Sequence, residues 1–325
     1  MPSLTAQLVR RSFVTALCLA RSRAGSTQIT GDSSAEDLAR VALAMREQTE
    51  RLATVGPQPR GITVTRFDGP VPGDEVAHGR QVDSDRVVLH LHGGGYFMCS
   101  PATHRGMAVA LSRTARARVV LPAYRLAPED PFPAAVDDAV AAYRHLLERG
   151  EDPSRIAVTG DSAGGGLALS LLVRARDEGL PMPACYAGMS PWTDLTGSGD
   201  SMRDRDAVDP WLKADQVPPA ALAYAGDAPL DHPLVSPLFA DLTGLPPMLV
   251  HVGSDEILHS DAERLVARAR AAGVDASLGV FDGLWHVFHA FPLPESRHAL
   301  REIGAFVRRH TDAVRRTAAG RSSAA

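Results

Sequence analysis

The chain has 325 residues, 45% hydrophobic and 22% charged, which fits either one large α/β domain or two smaller globular ones. Its formal net charge of −4 leaves no electrostatic footprint for nucleic acid. Cys18, Cys99 and Cys185 are odd in number and far apart, so they form neither a disulfide framework nor a metal-spaced set and favour a reducing, cytoplasmic compartment.

Residues 1 to 55 are expected to be helical, most clearly 35–54, where Leu, Val, Ala and Met alternate with charges at helical spacing. Arg10-Arg11-Ser12-Phe13 followed by Val14 to Ala20 has the form of a twin-arginine signal. The apolar run, however, is only about eight residues, and an amphipathic helix covering a pocket explains the same residues. No run is long enough to span a membrane. Pro57, Pro59 and Gly61 break the helix. Ile62 to Phe67 then alternates as an edge strand, and Pro70, Pro72, Gly73 and Gly79 mark turns.

From residue 85 the rhythm is strand, loop, helix. Strands are predicted at 86–91, 118–121, 155–159, 184–189, 248–252 and 277–281. Helices are predicted at 105–114, 132–149, 167–176, 260–272 and 295–310. Such alternation implies a mostly parallel sheet with helices on both faces. Trp192 to Pro237, rich in Asp, Pro and Gly, interrupts it as an insertion. The expected organisation is one α/β domain over 1–325, with a cap from about 1–55 and 192–237 and a catalytic core from about 56–191 and 238–315. The tail 318–325 is expected to fray.

Gly160-Asp161-Ser162-Ala163-Gly164 lies between a strand and a helix former, the setting of a G-x-S-x-G nucleophile elbow. A sharp turn there strains the serine backbone, holds Oγ above the sheet and requires small neighbours. A serine hydroxyl needs a base, and a histidine needs a carboxylate to fix its tautomer. In the order Ser, acid, His, the predicted set is Ser162, Asp255 and His286, each just beyond a strand end. Asp255 is placed ahead of Glu256 and Asp261, which are taken as a helix start and its first-turn charges. His286, directly after its turn, is placed ahead of His289. Asp161 is expected to bond local backbone at the elbow.

His92-Gly93-Gly94-Gly95 follows a strand and matches the HGGG element that donates backbone N–H groups to an oxyanion. Gly93 and Gly94, with the N–H of Ala163, are the expected donors. No Gly-Lys-Ser/Thr follows, so the loop is not a phosphate cradle. His90 and His92 share a strand face, but no acidic, Cys or His partner stands nearby in sequence, and neither a metal nor a cofactor is implied. Tyr96, Phe97, Trp211, Leu258 and Trp285 are candidate substrate-pocket walls; Trp192 is expected to be lid core.

Taken together, His92-Gly93-Gly94-Gly95-Tyr96, Tyr124-Arg125-Leu126-Ala127-Pro128-Glu129, Phe132-Pro133-Ala134-Ala135, Gly160 to Gly165, Ser190-Pro191, Asp255-Glu256-Ile257-Leu258 and the segment around His286 resemble the hormone-sensitive-lipase-like α/β hydrolases, or bacterial family IV esterases, over about residues 85–310. The resemblance implies an α/β-hydrolase fold, a helical canopy, a serine triad, a two-glycine oxyanion hole, short acyl ester substrates, no cofactor, and a homodimer through the last strand and helix. It also implies a structural role for 124–129, with Glu129 bonding buried backbone near the oxyanion loop. Gly166 departs from the asparagine of many members, which is expected to alter local packing. Related proteins suggest a specialised lactone or acetylated natural product as the alternative substrate. A plant hormone receptor of similar scaffold lacks the histidine that His286 supplies here, which argues against a purely binding role.

Overall fold

A computed structural model describes residues 2–12, 35–55, 61–79 and 82–322; Phe13 to Ala20 and Cys18 lie outside these. A short helix α1 spans residues 4–12 and is followed in the described chain by α2, Ala35–Val55. An eight-stranded sheet has the order β1-β2-β4-β3-β5-β6-β7-β8. Its strands are β1 Ile62–Phe67, β2 Gly73–His78, β3 Asp83–Leu91, β4 Ala117–Pro122, β5 Ile156–Asp161, β6 Cys185–Met189, β7 Met248–Gly253 and β8 Ala276–Phe281. From β4 across to β8 all neighbours are parallel, while β1–β2 and β2–β4 are antiparallel.

β1 lies at the predicted edge, but β2 stands where glycine and proline predict turns. Its sequence, GDEVAH, buries one apolar side chain, Val76, and carries two acids. Those acids meet basic partners: Asp74 pairs with Arg105, at the start of the helix after β3, at 2.8 Å, and Glu75 with Arg118 of the neighbouring β4 at 3.0 Å. Tertiary ion pairing thus accommodates a strand that local propensity disfavours.

Helices α3 (Arg105–Ala115), α4 (Ala134–Glu148), α5 (Ala163–Asp177), α8 (His259–Ala271) and α9 (Pro294–Ser322) cover the sheet. α8 agrees within one residue, whereas α9 extends through much of the tail expected to fray, as far as Ser322. The core divides into one cluster on the α4, α5 and α8 side and another between the sheet, α3 and α9. Short helices α6 (Ser201–Asp204) and α7 (Val217–Ala225) lie in the insertion between β6 and β7. Among the described residues, no helix is long and apolar enough to cross a membrane.

Of the stretch expected to cover a pocket, residues 13–20 lie outside the described residues, and none of the described α1 residues lines the cavity. Ala6 and Val9 pack with Leu284, Trp285 and Phe288, the loop between β8 and α9. Arg10 then donates to Asp255 at 2.6 Å and to the Val208 carbonyl at 2.7 Å. α1 therefore joins the insertion to the loops after β7 and β8.

Asp261 stands in the first turn of α8, as expected, and is fully buried there. Its Oδ2 accepts the backbone N–H of Thr193 and of Asp194, each at 2.8 Å, which holds the start of the insertion against α8. Burial raises its pKa to about 7, outweighing those two bonds. Between the ordinary value near 3.8 and about 7, the folded protein keeps a proton that the unfolded chain has lost. This group therefore favours folding less as pH rises across that window. Asp261→Asn removes the term, so the difference in Tm, parent minus variant, is expected to shrink from pH 4 to pH 7, measured by thermal unfolding in matched buffers.

Candidate active site

Ser162 sits where β5 meets α5, with φ 51° and ψ −126°, a strained backbone for a non-glycine residue. The tight turn explains both flanking glycines. A Cβ on Gly160 would lie 2.2 Å from the Gly164 carbonyl oxygen, and one on Gly164 would lie 2.1 Å from the Leu91 carbonyl oxygen. α5 begins at Ala163, four residues earlier than its apolar periodicity predicts, because its first turn is glycine packed under the elbow. A side chain at Gly166 would start 2.1 Å from the Trp192 carbonyl oxygen, so the exchange for asparagine affects how the insertion begins.

His286 Nε2 lies 2.9 Å from Ser162 Oγ. Its Nδ1 lies 2.7 Å from Glu256 Oε2. With the proton on Nδ1 facing the carboxylate, Nε2 is free to accept from the serine hydroxyl, a tautomer assigned from the hydrogen-bond network. The competing His289 also borders the cavity, but neither of its ring nitrogens has a hydrogen-bond partner, and it stacks on His251 at 5.7 Å.

The acid corrects the sequence reading: the carboxylate that reaches His286 belongs to Glu256, not Asp255. Glu256 is fully buried, and its Oε1 accepts from Ser190 Oγ at 2.9 Å and from the Gly253 N–H at 2.6 Å. Ser190 Oγ in turn accepts the Val287 N–H at 3.1 Å, so the Ser190-Pro191 motif braces both acid and base. Asp255 points away, to Arg10 and to Ser254 Oγ at 2.8 Å. After Gly253 the chain leaves the strand and turns, so strand alternation no longer dictates which of two adjacent acids faces inward.

The oxyanion loop needs a second correction. Gly93 N–H is taken, donating to Asp161 Oδ1 at 3.1 Å. Gly94 and Gly95, in contrast, line the cavity beside Ser162. Asp161 thus bonds the oxyanion loop as well as ending β5. His90 Nε2 lies 3.3 Å from its Oδ1 and His104 Nε2 lies 3.4 Å from its Oδ2. Burial would raise the Asp161 pKa, but the facing His104 and His90 outweigh it and hold it well below the ordinary value. His104, from the loop before α3, is a partner that sequence proximity could not reveal. Burial, reinforced by His104, pushes His92 down to about 3. The Tyr124 hydroxyl donates to the His92 carbonyl at 2.6 Å, so the Tyr124 segment braces the loop. Among the described residues, no group of three or more His, Cys, Asp or Glu is arranged to hold a metal ion.

Glu129 also departs from expectation. It is half exposed and forms a two-point ion pair with Arg46 of α2; Arg46 makes the backbone contacts assigned to Glu129, donating to the carbonyls of Phe97 and Ala127.

Ser162 opens into a cavity of about 1190 Å³. Phe97, Trp211 and Leu258 line it, Trp211 meeting His286 edge to face at 5.8 Å. Trp192, expected as lid core, lines it too. Tyr96 and Trp285 do not. Tyr96 is buried in a stack on Tyr224 of α7 at 3.6 Å, and Trp285 points opposite to its neighbour His286, into the cluster with α1. Further walls come from α2, through Val41 and Met45, and from the insertion, through Leu212, Val217 and Ala220. Asp209 fastens the insertion to the acid loop: Oδ1 accepts the Trp211 and Leu212 N–H groups at 2.8 and 2.9 Å, and Oδ2 accepts the Ile257 N–H at 3.0 Å.

Residues 88–290 match a family model described as alpha/beta hydrolase fold. An acetyl-hydrolase of Streptomyces hygroscopicus is 44% identical over 78% of this chain and 90% of its own. An esterase of Acinetobacter venetianus is 36% identical over 81% of this chain and 88% of its own. Among solved structures, EstE5 superposes with a TM-score of 0.86 at 38% identity, covering 96% of this chain and 100% of that one. An esterase of the bacterial hormone-sensitive lipase family superposes with a TM-score of 0.83 at 40% identity, over 96% of this chain and 100% of that one.

Proposed function

Because the chain belongs to the α/β-hydrolase-fold family of bacterial hormone-sensitive-lipase-like esterases, and is a carboxylesterase-type hydrolase, we propose that Ser162, His286 and Glu256 carry out acyl transfer to water through an acyl-enzyme. The observation that carries this is the unbroken chain from Ser162 Oγ to His286 at 2.9 Å and on to Glu256 at 2.7 Å, at the floor of the cavity.

Ser162 Oγ attacks the acyl carbon while His286 Nε2 takes its proton. Glu256 keeps the imidazole in the productive tautomer and stabilises the imidazolium without itself taking the proton. Negative charge that moves onto the former carbonyl oxygen meets the N–H groups of Gly94, Gly95 and Ala163. As the tetrahedral intermediate collapses, the C–O bond to the alcohol breaks and His286 protonates the leaving oxygen. Water then enters, gives its proton to His286 and attacks the acyl carbon; collapse breaks the bond to Ser162, whose Oγ regains the proton.

We read α2 and the insertion as a cap over this cavity, and the substrate as an ester with a short acyl group. A second reading, acetyl removal from a larger acceptor, is favoured by the resemblance to the Streptomyces acetyl-hydrolase and by a cavity large enough for a bulky leaving group. A panel of p-nitrophenyl esters from acetyl to decanoyl, a lactone series and acetylated amines and alcohols separates them. The expected outcome is a kcat/KM maximum between acetyl and hexanoyl. Highest kcat/KM on the decanoyl ester would overturn the short-acyl reading, and no turnover of acetylated acceptors would overturn the second.

A further inference from the structure

Arg46 lies on α2, outside the catalytic set, yet its guanidinium reaches the loop that holds the oxyanion donors. Nε donates to the Phe97 carbonyl at 2.8 Å and Nη2 to the Ala127 carbonyl at 2.7 Å. The outer edge of the same fork meets both oxygens of Glu129, at 2.9 and 2.8 Å. The hydrogen bond from Arg46, which outweighs desolvation, holds the Glu129 carboxyl below its ordinary value, so Glu129 is ionised at neutral pH.

Both carbonyls lead to the active site. The Phe97 and Met98 N–H groups donate to the Gly94 carbonyl at 3.1 and 3.0 Å, closing the turn that lines the cavity beside Ser162. The Ala127 N–H donates to the Tyr96 carbonyl at 2.9 Å. One side chain therefore bridges the two segments that fix residues 94–97. Tyr96 and Cys99 in this loop have φ of 67° and 71°, a conformation that non-glycine residues keep only when held. One turn further along α2, Glu50 accepts from Ser100 Oγ, at the end of the same loop. The other face of α2 presents Val41 and Met45 to the cavity.

We propose that Arg46 is a positioning residue, which sets the oxyanion donors and the α2 wall of the cavity as one unit. A fork with several fixed donors can hold two carbonyls and a carboxylate at once, and lysine cannot. Loss of Arg46 lets the 94–97 turn drift relative to Ser162, and donors aimed at a transition state tolerate little displacement. The α2 wall is released with it, so discrimination between short and long acyl groups weakens.

The inference rests on the serine-hydrolase reading above, and its test is separable from it. Arg46→Met, Arg46→Lys and Glu129→Gln are compared with the parent in kcat and KM on acetyl, butyryl and octanoyl p-nitrophenyl esters. A boronic acid that forms a tetrahedral adduct with Ser162 serves as transition-state analogue. For Arg46→Met, kcat on the acetyl ester is expected to fall about 10- to 100-fold, with the boronate Ki rising in step and the octanoyl to acetyl ratio increasing. Arg46→Lys should be intermediate. Glu129→Gln leaves the two carbonyl bonds in place and should remain within about threefold, which also provides a folded reference. Unchanged kcat and boronate Ki in Arg46→Met, or losses in all three variants that follow only a fall in Tm, would overturn the proposal. If the parent itself fails to label at Ser162, the failure belongs to the catalytic reading instead.

Discussion

Glu256→Gln is expected to lower kcat on p-nitrophenyl butyrate by about 10⁴-fold, whereas Asp255→Asn should remain within about threefold of the parent. The contrast follows from position. Glu256 Oε2 meets His286 Nδ1 inside a fully buried site, and its other oxygen is fixed by Ser190 and Gly253. An amide there can present its NH₂ to Nδ1, which favours the tautomer with the proton on Nε2, where it cannot accept from serine. Asp255 lies on the outside of the same turn, paired with Arg10, and both side chains are partly exposed, 22% and 29%. A pair so exposed contributes about 0–1 kcal/mol, so Asp255→Asn should cost a little stability and leave the chemistry intact. Steady-state kinetics beside thermal unfolding checks both halves. Near-parental kcat in Glu256→Gln, or a collapse in a folded Asp255→Asn, would return the acid role to Asp255.

The second large effect is at the nucleophile. Ser162→Ala is expected to reduce kcat by about 10⁶-fold, leaving a residual rate from the oxyanion donors and binding alone. Combining it with Glu256→Gln should add almost nothing, because residues that act as a unit lose their function together. If the losses multiplied, Glu256 would be acting outside the Ser162–His286 relay. Ser162→Ala should fold as the parent does: the smaller side chain creates no clash at the elbow, and the Gly165 and Gly166 N–H groups still reach the carbonyl of residue 162. Melting temperatures and far-UV circular dichroism provide that control.

Much of this arrangement was legible in the sequence because period and punctuation reflect physics directly. Apolar runs bounded by turns marked six of the eight strands as members of a parallel sheet, and Ile62–Phe67 showed as its edge. Gly160 and Gly164 marked the elbow because only a residue without Cβ fits against the Gly164 and Leu91 carbonyls. Ser162 and His286 were legible because each follows a strand end that the fold brings to one edge.

What escaped the sequence depends on orientation over a single residue or on contacts distant in the chain. Asp255 and Glu256 are adjacent, and the turn between them erases alternation. Gly93 reads in sequence as a free donor, but Asp161, sixty-eight residues later, takes its N–H. Trp285 neighbours His286 but faces α1, through a cluster that joins residues nearly three hundred positions apart. β2 is held by partners on β4 and α3, and Arg46 by a loop about fifty residues later, and neither relation leaves a periodic trace. A better local signal was available only for Ser190, whose pairing with proline at a strand end marks a strained turn; its φ is 49°.

The central claim is that Ser162 forms a covalent acyl-enzyme. It is tested most directly by treating the parent and Ser162→Ala with a fluorophosphonate and mapping the adduct by peptide mass spectrometry. The account predicts one phosphonyl group per parent chain, on the peptide containing Ser162, with loss of esterase activity in proportion to labelling and no adduct in Ser162→Ala. An adduct on another residue that tracks the loss of activity, or full inhibition with Ser162 unmodified, would contradict it.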